Sequence, residues 1–497
     1  MLFDPLVPPP TPDLRRPRPG PIPRLALCVV GGVADRPFAA ALARAGAQVV
    51  LMDGTLAGLA GPAAEGVEEV DLAAAHAPTH RHAPLRALLV HHRLATRRFD
   101  HVLFRDPFAT GHYACIARDL GLAHAGTGLW VVGGRTRAAA LVAAHAFPDG
   151  RTDVELDFLE RETVRRADGI VFAAATDAIA MAAAGFALPP TLLLADDGDA
   201  ATLLATLAAA PVRTPSVPEA APRISVCMPT FNRTAPLREA AASLFAQTSG
   251  DFEVVLVEDG STDPEARAVV RDLEGPFAAR GWSVLRQANA GPAAARRTAR
   301  RAATGTHLLF MDDDNLALAH EIARFAVAAR SGADVLTCIP GRHPASDLGP
   351  PPVALLDGPD PAHPRVGVDW TPVGACPALA VFVNCLGDNN ALIRAAVYDA
   401  LGGHVDTPDV FEDLQFFSNA VARGHSLEVV PEVLFLYRRH SGSRSMGPHI
   451  YRAHLASLAP WMDQVPPALR PLLLHARRDW YERHRRATER ETEAPPD

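Results

Sequence analysis

Apolar residues along this chain come in short unbroken runs bounded by turn residues. In the first half these are "RLALCVV" (24–30), "AQVVLM" (47–52), "HVLF" (101–104) and "GIVFAA" (169–174). Runs of this length read as strands covered on both faces, the pattern of a parallel sheet. Helical stretches stand between them: an Ala-rich one ending at Gly46, then "GHYACIARDLGL" (111–122) and "VELDFLERETVRRA" (154–167). Strand–helix–strand alternation predicts one doubly wound α/β domain over 24–210. "PVRTPSVPEAAP" (211–222) is Pro-rich without periodicity and reads as a semi-rigid linker. The alternation then restarts with "RISVCM" (223–228), "FEVVLV" (252–257), "WSVL" (282–285) and "THLLFM" (306–311). A helix is predicted over 292–304, opened by a Pro whose missing N–H is harmless there.

The remaining stretches lack this rhythm. Residues 340–380 are rich in Pro and Gly and read as a functional loop or lid. A helical, amphipathic extension is predicted from 446 to about 485, with a frayed end. Residues 1–23 have no apolar signal core and read as a disordered lead-in. The predicted layout is 1–23, 24–210, 211–222, 223–445 and 446–497.

Composition narrows the chemistry. A length of 497 residues suits roughly two to four domains. The net charge of −8 disfavours a general binder of nucleic acid or anionic membrane. All 48 Lys+Arg residues are Arg, which excludes a Schiff-base lysine and a phosphate-loop lysine. The six cysteines form no CxxC pair, so a zinc site or disulfide framework has little support, and a reducing cytoplasm is the expected compartment. No stretch of 18 uninterrupted apolar residues occurs, so no transmembrane helix is expected.

Acidic residues recur where predicted strands end. "VVLVEDGSTD" places Glu258 and Asp259 after one strand, and "HLLFMDDDN" places Asp312, Asp313 and Asp314 after another. In open α/β sheets ligands bind outside the carboxyl ends of strands, so both clusters belong on one edge. Carboxylates gathered there call for a counter-charge, and a hard divalent cation shared with substrate phosphates is the natural one, Mg²⁺ or Mn²⁺.

Six ordered stretches carry a resemblance: "ISVCMPTFNR" (224–233), "SLFAQT" (243–248) with "FEVVLVEDGSTD" (252–263), "NAGPAAARRTARRAATGTHLLFMDDDN" (289–315), "NNALIRAAVYDALGG" (389–403), "FEDLQFFSNAVARG" (411–424) and "YRRHSGSRS" (437–445). Residues 223–445 resemble a glycosyltransferase family 2 domain of the GT-A fold. The fold expectation is two Rossmann-like α/β domains, the second a GT-A nucleotide-sugar transferase fold with a mixed sheet. The resemblance implies that Asp259 binds the nucleotide base in a pocket shaped by Pro229. It assigns Asp314 to the metal and leaves Asp312 and Asp313 as alternatives for the ribose or sugar side. It matches Asp413 to the catalytic base with Glu412 beside it on the donor side, and His440 to a residue approaching the metal or diphosphate. Arg297 departs from the family, which has Asn there.

The reaction implied is inverting transfer of a sugar from a nucleotide-diphosphate donor, a UDP-sugar first, to a hydroxyl of a glycan or glycoconjugate, as in bacterial cell-surface polysaccharide synthesis. The expected location is cytoplasmic, with peripheral association at the inner face of the membrane as the alternative; nucleic acid is not an expected partner. A scaffolding or glycan-binding protein with a retired active site is the competing reading. Residues 24–210 resemble the N-terminal lobe of a family 4 (GT-B) glycosyltransferase, through "DFLERETVRRADGIVFAAATDAIA" (157–180), "FDHVLFRD" (99–106) and "LGLAHAGTGLW" (120–130). Three features are set aside on their patterns. His76, His80, His82, His91 and His92 fit no tight metal spacing. "VVGG" (131–134) is not GxGxxG. "RRTARR" (296–301) reads as a solvated helix face, with phosphate contact the lesser alternative.

Overall fold

Seven strands of the first half pair in the order β3-β2-β1-β4-β5-β6-β7, all parallel: β1 (Ala26–Gly31), β2 (Gln48–Asp53), β3 (Val67–Val70), β4 (His101–Phe104), β5 (Gly128–Val132), β6 (Gly169–Phe172) and β7 (Thr191–Leu194). The computed structural model describes residues 25–72, 83–105, 109–133, 136–146, 148, 150–194, 199–214, 220–343, 355–356, 366–368, 370–405, 411–438 and 455–478. The lead-in to residue 23, His76, His80, His82, His440 and everything from 479 onward lie outside them. The chain divides into two compact units, Met1–Ser216 with Ala354–Arg365, and Val217–Val353 with Val366–Asp497.

In the first unit, strand alternation splits the apolar residues between two cores. Leu27, Val29, Val49, Leu51 and Leu103 join one cluster, which is sealed by helix α1 (Arg36–Arg44) and by Leu203, Leu204 and Leu207. Cys28, Val30, Val50, Met52, Val102 and Phe104 join another, with Val90 and Leu94 of α2 (Ala83–Ala95). Continuous apolar runs were required because both faces of the sheet are covered. A buried ion pair locks the sheet's rear: Arg118 of α3 (His112–Asp119) bonds Asp168 at 2.5 Å, and Asp168 accepts the Leu129 N–H at 2.7 Å.

The second unit holds a mixed eight-stranded sheet, ordered β10-β9-β8-β11-β16-β13-β17-β12. Its strands are β8 (Ile224–Thr230), β9 (Phe252–Glu258), β10 (Ser283–Arg286), β11 (His307–Phe310), β12 (Leu316–Ala317), β13 (Val335–Arg342), β16 (Ala391–Arg394) and β17 (Leu427–Tyr437); β14 (Leu355–Leu356) and β15 (Val366–Gly367) are two-residue strands outside it. The first four are mutually parallel, whereas β16 runs antiparallel to both β11 and β13. The expected α/β class, with a parallel sheet first and a mixed sheet second, is what the chain adopts. Strand β8 is buried throughout. Its neighbours β9 and β11 leave from opposite sides, so β8 and β11 flank the point where strand order reverses, the usual ligand crevice of such sheets.

Three stretches differ from the sequence reading. The 340–380 segment begins inside strand β13, which runs to Arg342. The region after it holds a short helix, Pro377–Ala380. The C-terminal extension is broken at Pro466 and Pro467 into a helical turn at Ala459–Met462, a tighter turn at Pro467–Leu469 and a helix from 470 to the last described residue, 478. Among the described residues no helix is long and apolar enough to cross a membrane.

Candidate active site

The turn after β8 carries Phe231, Asn232 and Arg233. Asn232 has φ of 51°, a left-handed conformation that Asn tolerates better than most residues. Its Oδ1 accepts from the N–H groups of Thr262 at 2.8 Å and Asp263 at 3.0 Å, and its own N–H donates to Ser261 Oγ at 3.0 Å. The turns after β8 and β9 are thereby pinned together. Pro229, one residue before the end of β8, is buried with the rest of its strand.

Asp259 follows β9 and is 3% exposed. Its Oδ1 accepts from Gln287 Nε2 at 2.7 Å and the Ala290 N–H at 3.0 Å, and its Oδ2 from the Gly291 N–H at 2.9 Å. The carboxylate thus shapes the segment leading into α10 (Pro292–Ala302). Gly260 between the two has φ of 68°, and a Cβ there would sit 2.5 Å from the Asn289 N, so only glycine lets the two loops approach.

The acidic triplet after β11 divides by partner. Asp312 accepts from Arg296 Nη2 at 2.6 Å and Asn389 Nδ2 at 3.0 Å. Asp313 and Asp314 share one guanidinium: Arg233 Nε lies 3.2 Å from Asp313 Oδ1 and its Nη2 lies 2.7 Å from Asp314 Oδ2. Burial pushes Asp313 up to about 7; Arg233 opposes the rise and Asp314 and Asp312 add to it.

Arg296 brings the distant FED segment to this edge. Its Nη1 donates to Glu412 Oε1 at 2.9 Å while Nη2 holds Asp312. The residue is 4% exposed, and Ala293, Ala295 and Ala299 of α10 are buried as well. The expectation of a solvated face fails at this position. Glu412 and Asp413 open helix α14 (Glu412–Ala422). Asp413 accepts its neighbour Leu414's N–H at 2.7 Å, and burial, reinforced by Glu412, pushes its carboxyl up to about 7. Two adjacent carboxylates therefore meet different surroundings, one ion-paired and one not, which is how environment separates their roles.

Arg297, where the resemblance leads to Asn, donates to the His404 carbonyl at 2.8 Å. His404 is buried, its Nδ1 lies 3.0 Å from the Tyr398 hydroxyl, and burial together with Arg296 and Arg297 holds its imidazole well below the ordinary range. It is a neutral packing group under α10.

Asp313 and Asp314 already hold a cation between them, the Arg233 guanidinium. A hard divalent ion suits that pair of oxygen donors, with the rest of its shell from phosphates and water. Among the described residues no three His, Cys, Asp or Glu side chains converge as a metal set.

These placements fall in a segment with relatives. Residues 225–360 match the model of glycosyl transferase family 2. A PGL/p-HBAD biosynthesis glycosyltransferase of Mycobacterium tuberculosis is 35% identical over 130 residues, which are 26% of this chain and 46% of that protein. An uncharacterised glycosyltransferase of Bacillus subtilis, EpsJ, is 31% identical over 120 residues, 24% of this chain and 33% of that protein. The chain thus spans between a third and a half of the length of these curated relatives. Among solved structures, the mannosyltransferase PcManGT from Pyrobaculum calidifontis, in complex with GDP-Man and Mn²⁺, aligns with a TM-score of 0.38 at 18% identity, over 52% of this chain and 70% of that one. S. aureus TarS 1-349 with UDP-GlcNAc aligns with a TM-score of 0.39 at 19% identity, over 51% of this chain and 70% of that one.

The family 2 segment contains Pro229, Asp259, Asp312, Asp313 and Asp314, and Arg296 ties its acidic end to Glu412 and Asp413 outside it. Sequence reasoning did not single out Arg233, Arg296 or Asn389. The signal was a charge count: acidic motifs in a chain without lysine have only arginines as built-in partners.

Proposed function

We propose that this chain is a glycosyltransferase that moves a sugar from a nucleoside-diphosphate donor to a hydroxyl acceptor, with inversion at the sugar carbon. The observation that carries the reading is the convergence of Asp312, inside the matched segment, and Glu412, the neighbour of Asp413, on the buried guanidinium of Arg296. It joins a donor edge to a candidate base.

In this reading Asp259 and Pro229 form the base end of the donor site. Asp312 or Asp313 meets the ribose or sugar side. Asp314, with Asp313 beside it, would hold Mg²⁺ or Mn²⁺, and His440 is the further ligand that the sequence resemblance implies. A divalent ion there would neutralise the leaving diphosphate. Asp413 takes the proton of the acceptor hydroxyl as attack begins. Its carboxyl range, up to about 7, is close to ideal for a base working near neutral pH. Glu412, held by Arg296, positions the start of α14 instead of competing for that proton. One base facing one leaving group gives inversion.

The donor proposed first is a UDP-sugar, and the acceptor a glycan or glycoconjugate of the cell surface. The first unit is proposed to be a scaffolding or acceptor-binding domain akin to a GT-B N-terminal lobe, and the enzyme to work in the cytoplasm or at the inner membrane face.

The test is release of nucleoside diphosphate from a panel of nucleotide sugars with Mn²⁺, with the anomeric configuration of the product read by NMR. Asp314→Ala should abolish turnover, and Asp413→Asn should lower it by on the order of 10²–10⁴-fold. An unchanged rate in Asp413→Asn, or retention at the sugar carbon, would overturn the mechanism.

A further inference from the structure

We propose that Arg233 is an exchangeable counter-cation: it neutralises Asp313 and Asp314 while the donor is absent, and transfers to the donor diphosphate when a metal ion takes the carboxylates. The inference rests on the donor-binding reading above.

Two different nitrogens of one guanidinium reach two different carboxylates, at 3.2 Å and 2.7 Å. The two acidic side chains are only 11% and 13% exposed. Carboxylates this enclosed repel each other, and the guanidinium between them offsets that repulsion. A divalent ion on these carboxylates would set a second positive charge beside the guanidinium, so ion and guanidinium would repel and compete for the pair.

The geometry lets the guanidinium leave. The Arg233 side chain is 34% exposed, whereas the backbone beside it is fixed by Asn232. The long stem can swing from a stationary root. Its planar fork suits a phosphate as well as a carboxylate. A second feature marks this edge as built for a ligand. Asn389, 5% exposed, donates Nδ2 to Asp312 and leaves its Oδ1 with no protein donor. A buried acceptor left open beside the cluster is costly unless something else satisfies it.

The exchange makes metal and diphosphate mutually dependent. Metal alone must displace a built-in cation that then has no partner. With diphosphate present the displaced guanidinium gains one. Such coupling is reciprocal.

The test is Mn²⁺ binding to the full chain, followed by the loss of the free-ion EPR signal, with and without UDP or GDP. Arg233→Ala should bind Mn²⁺ alone about tenfold more tightly than wild type, the scale of a released charge-assisted contact. The same variant should bind UDP or GDP less tightly at saturating Mn²⁺, again by about tenfold. Arg233→Lys should return both values toward wild type. A merely structural role would weaken both affinities together. If wild type binds Mn²⁺ and a nucleotide but Arg233→Ala leaves Mn²⁺ affinity equal or weaker, the exchange is wrong and the donor reading stands. If wild type takes up neither nucleotide with Mn²⁺, both fall.

Discussion

Asp413 and Glu412 are neighbours with the same functional group, yet only Glu412 has a guanidinium on it. The consequence is a pH profile. Asp413 must be deprotonated to act as a base, and its carboxyl lies up to about 7. Turnover should therefore rise through about pH 7 and flatten above it. Asp413→Asn should cost on the order of 10²–10⁴-fold in kcat, the usual worth of a positioned base. Glu321 makes a different case. It is fully buried, bonds Asn390, and burial pushes it up to about 8. The folded state thus holds a proton that the unfolded state releases at the ordinary carboxylate range. Stability contributed by that proton is present in acid and lost as pH rises toward about 8. Glu321→Gln should remove the decline, raising Tm at pH 8 by on the order of a few degrees while changing little at pH 5. Asp259 can be counted by lone pairs. A carboxylate offers about four acceptor sites, and three are used by Gln287, Ala290 and Gly291. If Asp259 reads the base as proposed, one ring N–H fits, as uracil presents. Paired N–H groups, as guanine presents, do not. UDP should outcompete GDP, as measured by displacement of a bound nucleotide.

At the scale of elements, α10 is the keystone between the strand ends and α14. Arg296 spans from Asp312 to Glu412. Arg296→Met should destabilise the second unit by about 1–2 kcal/mol in urea unfolding, because it leaves two partly buried carboxylates without their cation. It should also lower kcat more than it raises KM, because it releases the start of α14. The elements themselves were largely legible in the sequence. The β8, β9 and β11 runs are unbroken and apolar, and each ends in residues unfit for a strand interior. What the sequence hid was pairing over distance. Nothing local marks Arg296 as buried among "RRTARR", because one of the acids it pairs with lies 116 residues away. The strands β13, β16 and β17 escaped notice for a related reason. β13 pairs with both β16 and β17 across long separations, and the Pro-Gly richness after β13 reads as a loop. His440 lies outside the described residues, so its matched role remains a proposal.

At the scale of the molecule, the two units have separate sheets and separate cores. Calorimetry should resolve two unfolding transitions, as chains with more than one core commonly show. Val226→Ala, in the buried centre of β8, should lower one of them. UDP with Mn²⁺ should raise that same transition and leave the other in place, since a ligand stabilises only what binds it. Movement of both together would mean one cooperative body. Among the described residues, the permanent cation paired with a carboxylate is arginine throughout, as at Asp168, Asp312 and Asp314. Acetyl transfer, ubiquitin attachment and amine-directed reagents have no side-chain target in such a chain. Its permanent positive charges can be altered only by chemistry aimed at guanidines.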